Sequence, residues 1–139
     1  MAVKDARIHV RTRGDCDIID ITQEVAQRIG ESGISDGTVT VFVAGSTAGL
    51  STIEFERGVL SDLQAMWERI VPRDIPYRHD AAWGDGNGHS HVRATMLGPS
   101  LVIPFVNKRL TLGTWQQIVL VDFDNRPRSR DIVVQVMGE

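Results

Sequence analysis

Apolar residues in this chain recur with two different periods, and the switches between them leave few folds open. Val39, Val41 and Val43 alternate with Thr40 and Phe42, the spacing of a strand with one buried face. Val59, Leu60, Leu63, Met66, Trp67 and Ile70 then recur three and four residues apart as far as Pro72, the spacing of an amphipathic helix stopped by a residue that cannot continue it. Residues 6–13 alternate Ile8 and Val10 with polar neighbours, Gly14-Asp15 breaks the run, and Ile18, Ile19 and Ile21 read as a second strand. Thr22 is placed to cap a short helix that carries Val25, Ala26 and Ile29 on one face and ends at Gly33. Beyond residue 100 strands dominate. Leu101–Val106 and Leu110–Leu112 flank Asn107-Lys108 as a hairpin, with Lys108 where a tight turn wants positive φ and glycine would be easier. Trp115–Phe123 and Ile132–Met137 are expected to pair across Asp124-Asn125-Arg126-Pro127. Antiparallel pairs with a few short helices predict an α+β fold, a sheet or sandwich covered by helices, in a single domain over residues 1–139.

Composition narrows the function classes. A net charge of −3 and no long run of Lys or Arg argue against nucleic acid as a partner. No apolar run approaches the ~20 residues that span a bilayer, and Met1–Arg7 carries charges where a signal peptide needs an apolar core, so the expected setting is cytoplasmic, with no membrane partner. Cys16 is the only cysteine, which excludes an internal disulfide, and Asp15 and Asp17 beside it disfavour a thiolate.

Three of the four histidines, His79, His89 and His91, fall in one short stretch threaded with glycines and with Asp80 and Asp85. Neutral imidazole is a common ligand for transition metals, so these three histidines are metal candidates, with zinc or magnesium as the divalent ion; the competing reading is that they cap a helix or bond to loop carbonyls. The stretch lacks the alternating oxygen ligands and final glutamate of a calcium loop. From about residue 88 to 97, His89, Val92, Met96 and Leu97 have helical spacing, Asn87 is a possible cap and Gly98-Pro99 a stop; a strand is the alternative. On a helix His89 and His91 would point nearly opposite ways, on a strand the same way.

Glycines ahead of a helix suit an anion, and Gly45-Ser46-Thr47-Ala48-Gly49 is a second loop of small residues that could hold phosphate, though tight turns explain both equally. Neither loop ends as a nucleotide-binding P-loop does, and no nucleophile elbow surrounds Ser46. Gln116 and Arg93 are candidate substrate contacts, Trp115 is expected to pack against the space left by Gly113, and Arg126, Arg128 and Arg130 read as a solvated turn.

Together, Tyr77-Arg78-His79-Asp80, Gly84-Asp85-Gly86-Asn87-Gly88-His89-Ser90-His91, Leu97-Gly98-Pro99-Ser100 and Leu112-Gly113-Thr114-Trp115-Gln116 resemble the YjbQ family, also called UPF0047, over nearly the whole chain. The resemblance implies an α+β homotrimer with sites near subunit boundaries. It also implies a weak, secondary thiamine-phosphate synthase, joining an aminopyrimidine diphosphate to a thiazole phosphate; the same residues leave a metal-dependent hydrolase of a small phosphorylated molecule and a non-catalytic metal- or ligand-binding trimer as alternative readings. Carried over as site residues are His79, Asp85, His89 and His91 at the reacting centre, and Thr47, Glu54 and Asn87; Ser46, Gly88, Arg93 and Gln116 join them as contacts to a phosphorylated substrate. Many members have histidine where this chain has Gly45, which removes one imidazole from the loop.

Overall fold

A computed structural model describes residues 1–139. Strands β1 (Ala2–Thr12), β2 (Asp17–Asp20), β3 (Gly37–Val43), β4 (Ala48–Glu54), β5 (Ser100–Val106), β6 (Arg109–Leu110), β7 (Gln116–Asp122) and β8 (Arg128–Gly138) form two antiparallel sheets. The larger has the order β1-β8-β3-β5-β6 and the smaller β2-β7-β4. Helices α1 (Thr22–Ser32), α2 (Arg57–Ile70), α3 (Arg78–Trp83) and α4 (Gly88–Leu97) complete the α+β fold. No helix is long and apolar enough to cross a membrane.

The smaller sheet is the middle layer. Ile118 and Leu120 of β7 join a core with Leu50, the inward residues Val39, Val41, Ile132, Val134 and Val136 of the larger sheet, and Val25 and Ile29 of α1. Val119 and Val121, on the opposite face of β7, join Phe123 and Cys16 in a second core with Trp67, Val71 and Ala94 beneath α2 and α4. Burial on both faces explains why β7 reads as an unbroken apolar run. Trp67 meets Phe123 edge to face, with ring centroids 5.0 Å apart.

Several local expectations change. Residues 115–123 and 132–137 do not pair: β7 and β8 lie in different sheets, and residues 124–127 carry the chain from one to the other. The loop predicted after β3 turns directly into β4, a strand that the small residues Ala48-Gly49 conceal; a Cβ on Gly49 would stand 2.7 Å from the Gly98 carbonyl oxygen. Thr22 does not cap α1; Asp20 accepts from both its N–H and its hydroxyl, and that hydroxyl accepts from Ile118 N–H. Trp115 is 71 % exposed rather than packed. The hairpin at Asn107-Lys108 does form, with φ of 51° and 62°, although β6 is shorter than expected. Gly14, Asp15 and Cys16 are three successive left-handed residues, at φ 78°, 53° and 63°. The Cys16 thiol is pushed up to about 11, mainly by burial rather than by its aspartate neighbours.

Candidate functional site

Helices α3 and α4 frame the histidine-rich stretch. Two glycines with left-handed φ, Gly84 and Gly86, both at 67°, let the chain close α3 and turn back within a few residues. Gly88 then opens α4 against Tyr77: a Cβ there would lie 2.5 Å from the tyrosine Cβ. Asp80 Oδ1 accepts from Gly88 N–H at 2.8 Å, so an α3 carboxylate terminates the α4 dipole. Asn87 occupies the cap position without bonding a helix amide. Its Oδ1 accepts instead from the Ser90 hydroxyl at 2.6 Å and the Asn125 N–H at 3.1 Å, tying the start of α4 to the segment between the sheets.

Because residues 88–97 are helical, the two histidines of α4 part company. His91 turns toward α3, its ring centroid 4.5 Å from that of His79. His89 is buried, 3 % exposed, with Nε2 3.3 Å from the Ser90 hydroxyl and its ring 6.4 Å from Tyr77. Burial, helped by the positive charges of Arg93 and Arg73, holds His89 below its ordinary value and so favours neutral imidazole. The metal-type donors that can meet one ion are His79, Asp80 and Asp85, all within 4.8 Å of one another, a set containing only one of the three histidines proposed from the sequence. His79 Nδ1 lies 3.3 Å from Asp85 Oδ1 and 3.8 Å from Asp80 Oδ1, yet it is buried without a hydrogen-bond partner.

A cavity of about 320 Å³ lies beside His91, lined also by Gly45, Ser46, Ala48, Ala94, Thr95 and Pro99. The small-residue loop and α4 therefore share a wall. The Thr47 hydroxyl is not free to face this space. It donates to Asp124 at 2.9 Å and accepts from Arg130 at 2.6 Å, inside a buried network. Arg93 is likewise committed: 2 % exposed, it donates to the Val71 carbonyl and to Glu68, clamping α4 to α2. Glu54 and Gln116 are partners at the far end of the smaller sheet from Ala48, roughly 20 Å along β4. Gln116 donates to Thr52 there, and Glu54 lines a separate hollow with Trp115.

The family model for YjbQ-like UPF0047 proteins matches residues 6–139. The chain belongs to the YjbQ/UPF0047 family. A UPF0047 protein of Methanothermobacter thermautotrophicus is 40 % identical over 139 residues, covering 100 % of this chain and 95 % of that one. Another, from Archaeoglobus fulgidus, is 40 % identical over 128 residues, covering 92 % and 97 %. Among solved structures, a YbjQ-like protein of unknown function from Sulfolobus solfataricus superposes with a TM-score of 0.94 at 36 % identity, over 99 % of both chains. A hypothetical protein from Aeropyrum pernix superposes at 0.90 with 30 % identity, over 98 % of this chain and 99 % of that one.

In this YjbQ-family chain, sequence reasoning missed the polar cluster between the sheets. Arg130, read as a surface residue, is buried and grips the fully buried Asp122 with two bonds, Nε to Oδ2 at 2.7 Å and Nη2 to Oδ1 at 2.9 Å. Thr12 donates to the same carboxylate at 2.7 Å, and Arg128 donates to buried Asp124 at 2.9 Å. Burial pushes the Asp124 carboxyl up, but bonds from Thr47, Asn87 and Arg128 outweigh it and hold the group below its ordinary value. The signal was present in the alternation: Arg130 continues the inward series Ile132, Val134, Val136, and Asp122 continues Ile118, Leu120.

Proposed function

We propose that this protein is an enzyme of the secondary thiamine-phosphate synthase type, acting on a small diphosphorylated substrate at the meeting of α3, α4 and the β3–β4 turn. The observation that carries the reading is His79 Nδ1, buried and unpartnered between two carboxylates, its ring 4.5 Å from that of His91, which lines an open cavity. Its separation from the Asp85 oxygen matches the ~3.4 Å expected of two donors about 2.1 Å from one tetrahedral ion. His79, Asp80 and Asp85 would hold a divalent cation, with zinc favoured over magnesium by the nitrogen donor. Such an ion would supply charge stabilisation for a departing diphosphate.

The chain's own residues have separate tasks. Asp80 orients the cluster by anchoring it to the first amide of α4. His91 stands between the cluster and the cavity, in contact with both, and is placed to hold or deliver a proton at a leaving oxygen. His89, buried and neutral, supports α4 from within.

A metal-dependent hydrolase is the second reading, favoured by the cavity itself: about 320 Å³ is near the lower end for ligand sites and suits one small molecule better than two. Incubating the purified protein with zinc or magnesium, the aminopyrimidine diphosphate and the thiazole phosphate separates the two. Thiamine phosphate as product supports the synthase, phosphate release from either substrate alone supports the hydrolase, and metal binding without turnover leaves a binding protein.

We further propose a homotrimer in the cytoplasm. Support comes from the outward face of the larger sheet, where Phe42, Val102, Val106 and Met137 are 41, 63, 53 and 38 % exposed. The placement of Glu54 and Gln116 at the opposite end of β4 from Ala48 also fits a site that another copy completes.

A further inference from the structure

Arg130 has one nitrogen that the buried network does not use. Nε and Nη2 are bonded to Asp122 and Thr47, and the side chain is only 8 % exposed, but Nη1 has no acceptor. Unlike Trp67 Nε1 and His79 Nδ1, it is not sealed from solvent, and it carries two protons. It lies at the β3–β4 turn. A Cβ built on Gly45 would stand 2.7 Å from Nη1, and Gly45 has φ +145°, which residues with a side chain rarely adopt. Glycine therefore leaves the guanidinium edge uncovered. In the same turn, the N–H groups of Gly45, Ser46 and Thr47 make no backbone hydrogen bond, and Gly45 and Ser46 line the cavity that His91 shares.

We infer that the Gly45–Thr47 turn and Arg130 Nη1 form an oxyanion site for a phosphoryl group. A buried guanidinium held by a bidentate carboxylate is fixed in orientation, so its remaining donors are already aimed. Unbonded amides in the same turn add partial positive charge for an anion to meet. Asp122 and Asp124 are offset by Arg130 and Arg128, so the cluster as a whole does not repel an incoming anion. The inference deepens the functional reading by naming what holds the substrate's phosphoryl group, and it does not require the His79 cluster to carry metal.

The test uses the full chain, freed of metal with a chelator, and inorganic phosphate as the probe. Titration followed by nitrogen-15 NMR is expected to move the Arg130 side-chain resonance together with the Ser46 and Thr47 amides. Acetate should bind at least tenfold more weakly. In Gly45→Ala the new methyl group lies against Nη1, and phosphate affinity should fall at least tenfold while the charge of the site is unchanged. Unmoved Arg130 and turn resonances in the wild type, equal affinity in Gly45→Ala, or acetate binding as well as phosphate would each overturn the assignment. Phosphate binding to metal-free protein supports the site even if no thiamine phosphate is ever formed, so its fate is separable from that of the synthase reading.

Discussion

At the scale of single residues, the three clustered histidines have three different environments. His79 is the one whose buried nitrogen lacks a partner, so His79→Ala is expected to abolish divalent-metal binding by calorimetry while lowering stability by less than about 1 kcal/mol, because no hydrogen bond to it is lost. Metal affinity unchanged in that variant would remove the cluster from consideration. His89 gives a pH prediction. Its folded-state value lies below the ordinary 6.5, so the unfolded chain takes up a proton near 6.5 that the folded chain refuses. Its contribution is therefore intact above 6.5 and is lost as pH falls through that value toward the folded one. Between about pH 7.5 and about pH 5, the wild type should lose more melting temperature than His89→Gln, which cannot titrate. Parallel curves for the two proteins would show that His89 is not buried as neutral imidazole.

Among the elements, legibility followed period. Helix α4 begins and ends where Asn87 and Gly98-Pro99 predicted, and with the helix came the divergence of His89 from His91. Both the amphipathic α2 and the left-handed turn at Lys108 were readable in the same way. Lys108→Gly should raise stability by about 0.5–1 kcal/mol, measured by thermal melting, since glycine takes positive φ without the steric cost. Strand β4 was hidden because Ala48-Gly49 is selected for close approach to the Gly98-Pro99 segment rather than for strand propensity. The false β7–β8 pair came from treating strands adjacent in sequence as neighbours, whereas the chain changes sheets between them. Arg130 and Asp122 escaped notice because charge was read as a surface signal, although their positions in the alternation put both inside. Arg130→Met should cost about 3–5 kcal/mol in chemical denaturation, because it leaves the buried Asp122 carboxylate without its partner. A loss below about 1 kcal/mol would show that the pair is solvated.

For the whole molecule, three layers place chemistry at one end. The smaller sheet separates an apolar core shared with the larger sheet from a second core beneath α2 and α4, and the crossing segment Phe123–Asn125 touches Thr47, Ser90 and Asn87. Residues distant in sequence converge there, which no local pattern announces. The outward apolar residues of the larger sheet predict self-association: light scattering at micromolar concentration should give the mass of a trimer, and Val102→Lys should shift it toward monomer without unfolding the chain. A monomer in the wild type would sink the proposal.

The clasp between Asp122 and Arg130 also bears on how faithfully the chain folds. In valine-rich strands such as β3 and β8 one valine resembles the next along the ladder, so the apolar side chains by themselves distinguish alignments poorly. A slip of β8 by a single residue would turn Arg130 outward and strand a carboxylate in the interior. A one-residue misalignment thus carries an uncompensated charge that the native arrangement lacks, and the ion pair acts as a proofreading device against it, independent of whatever the nearby cavity binds.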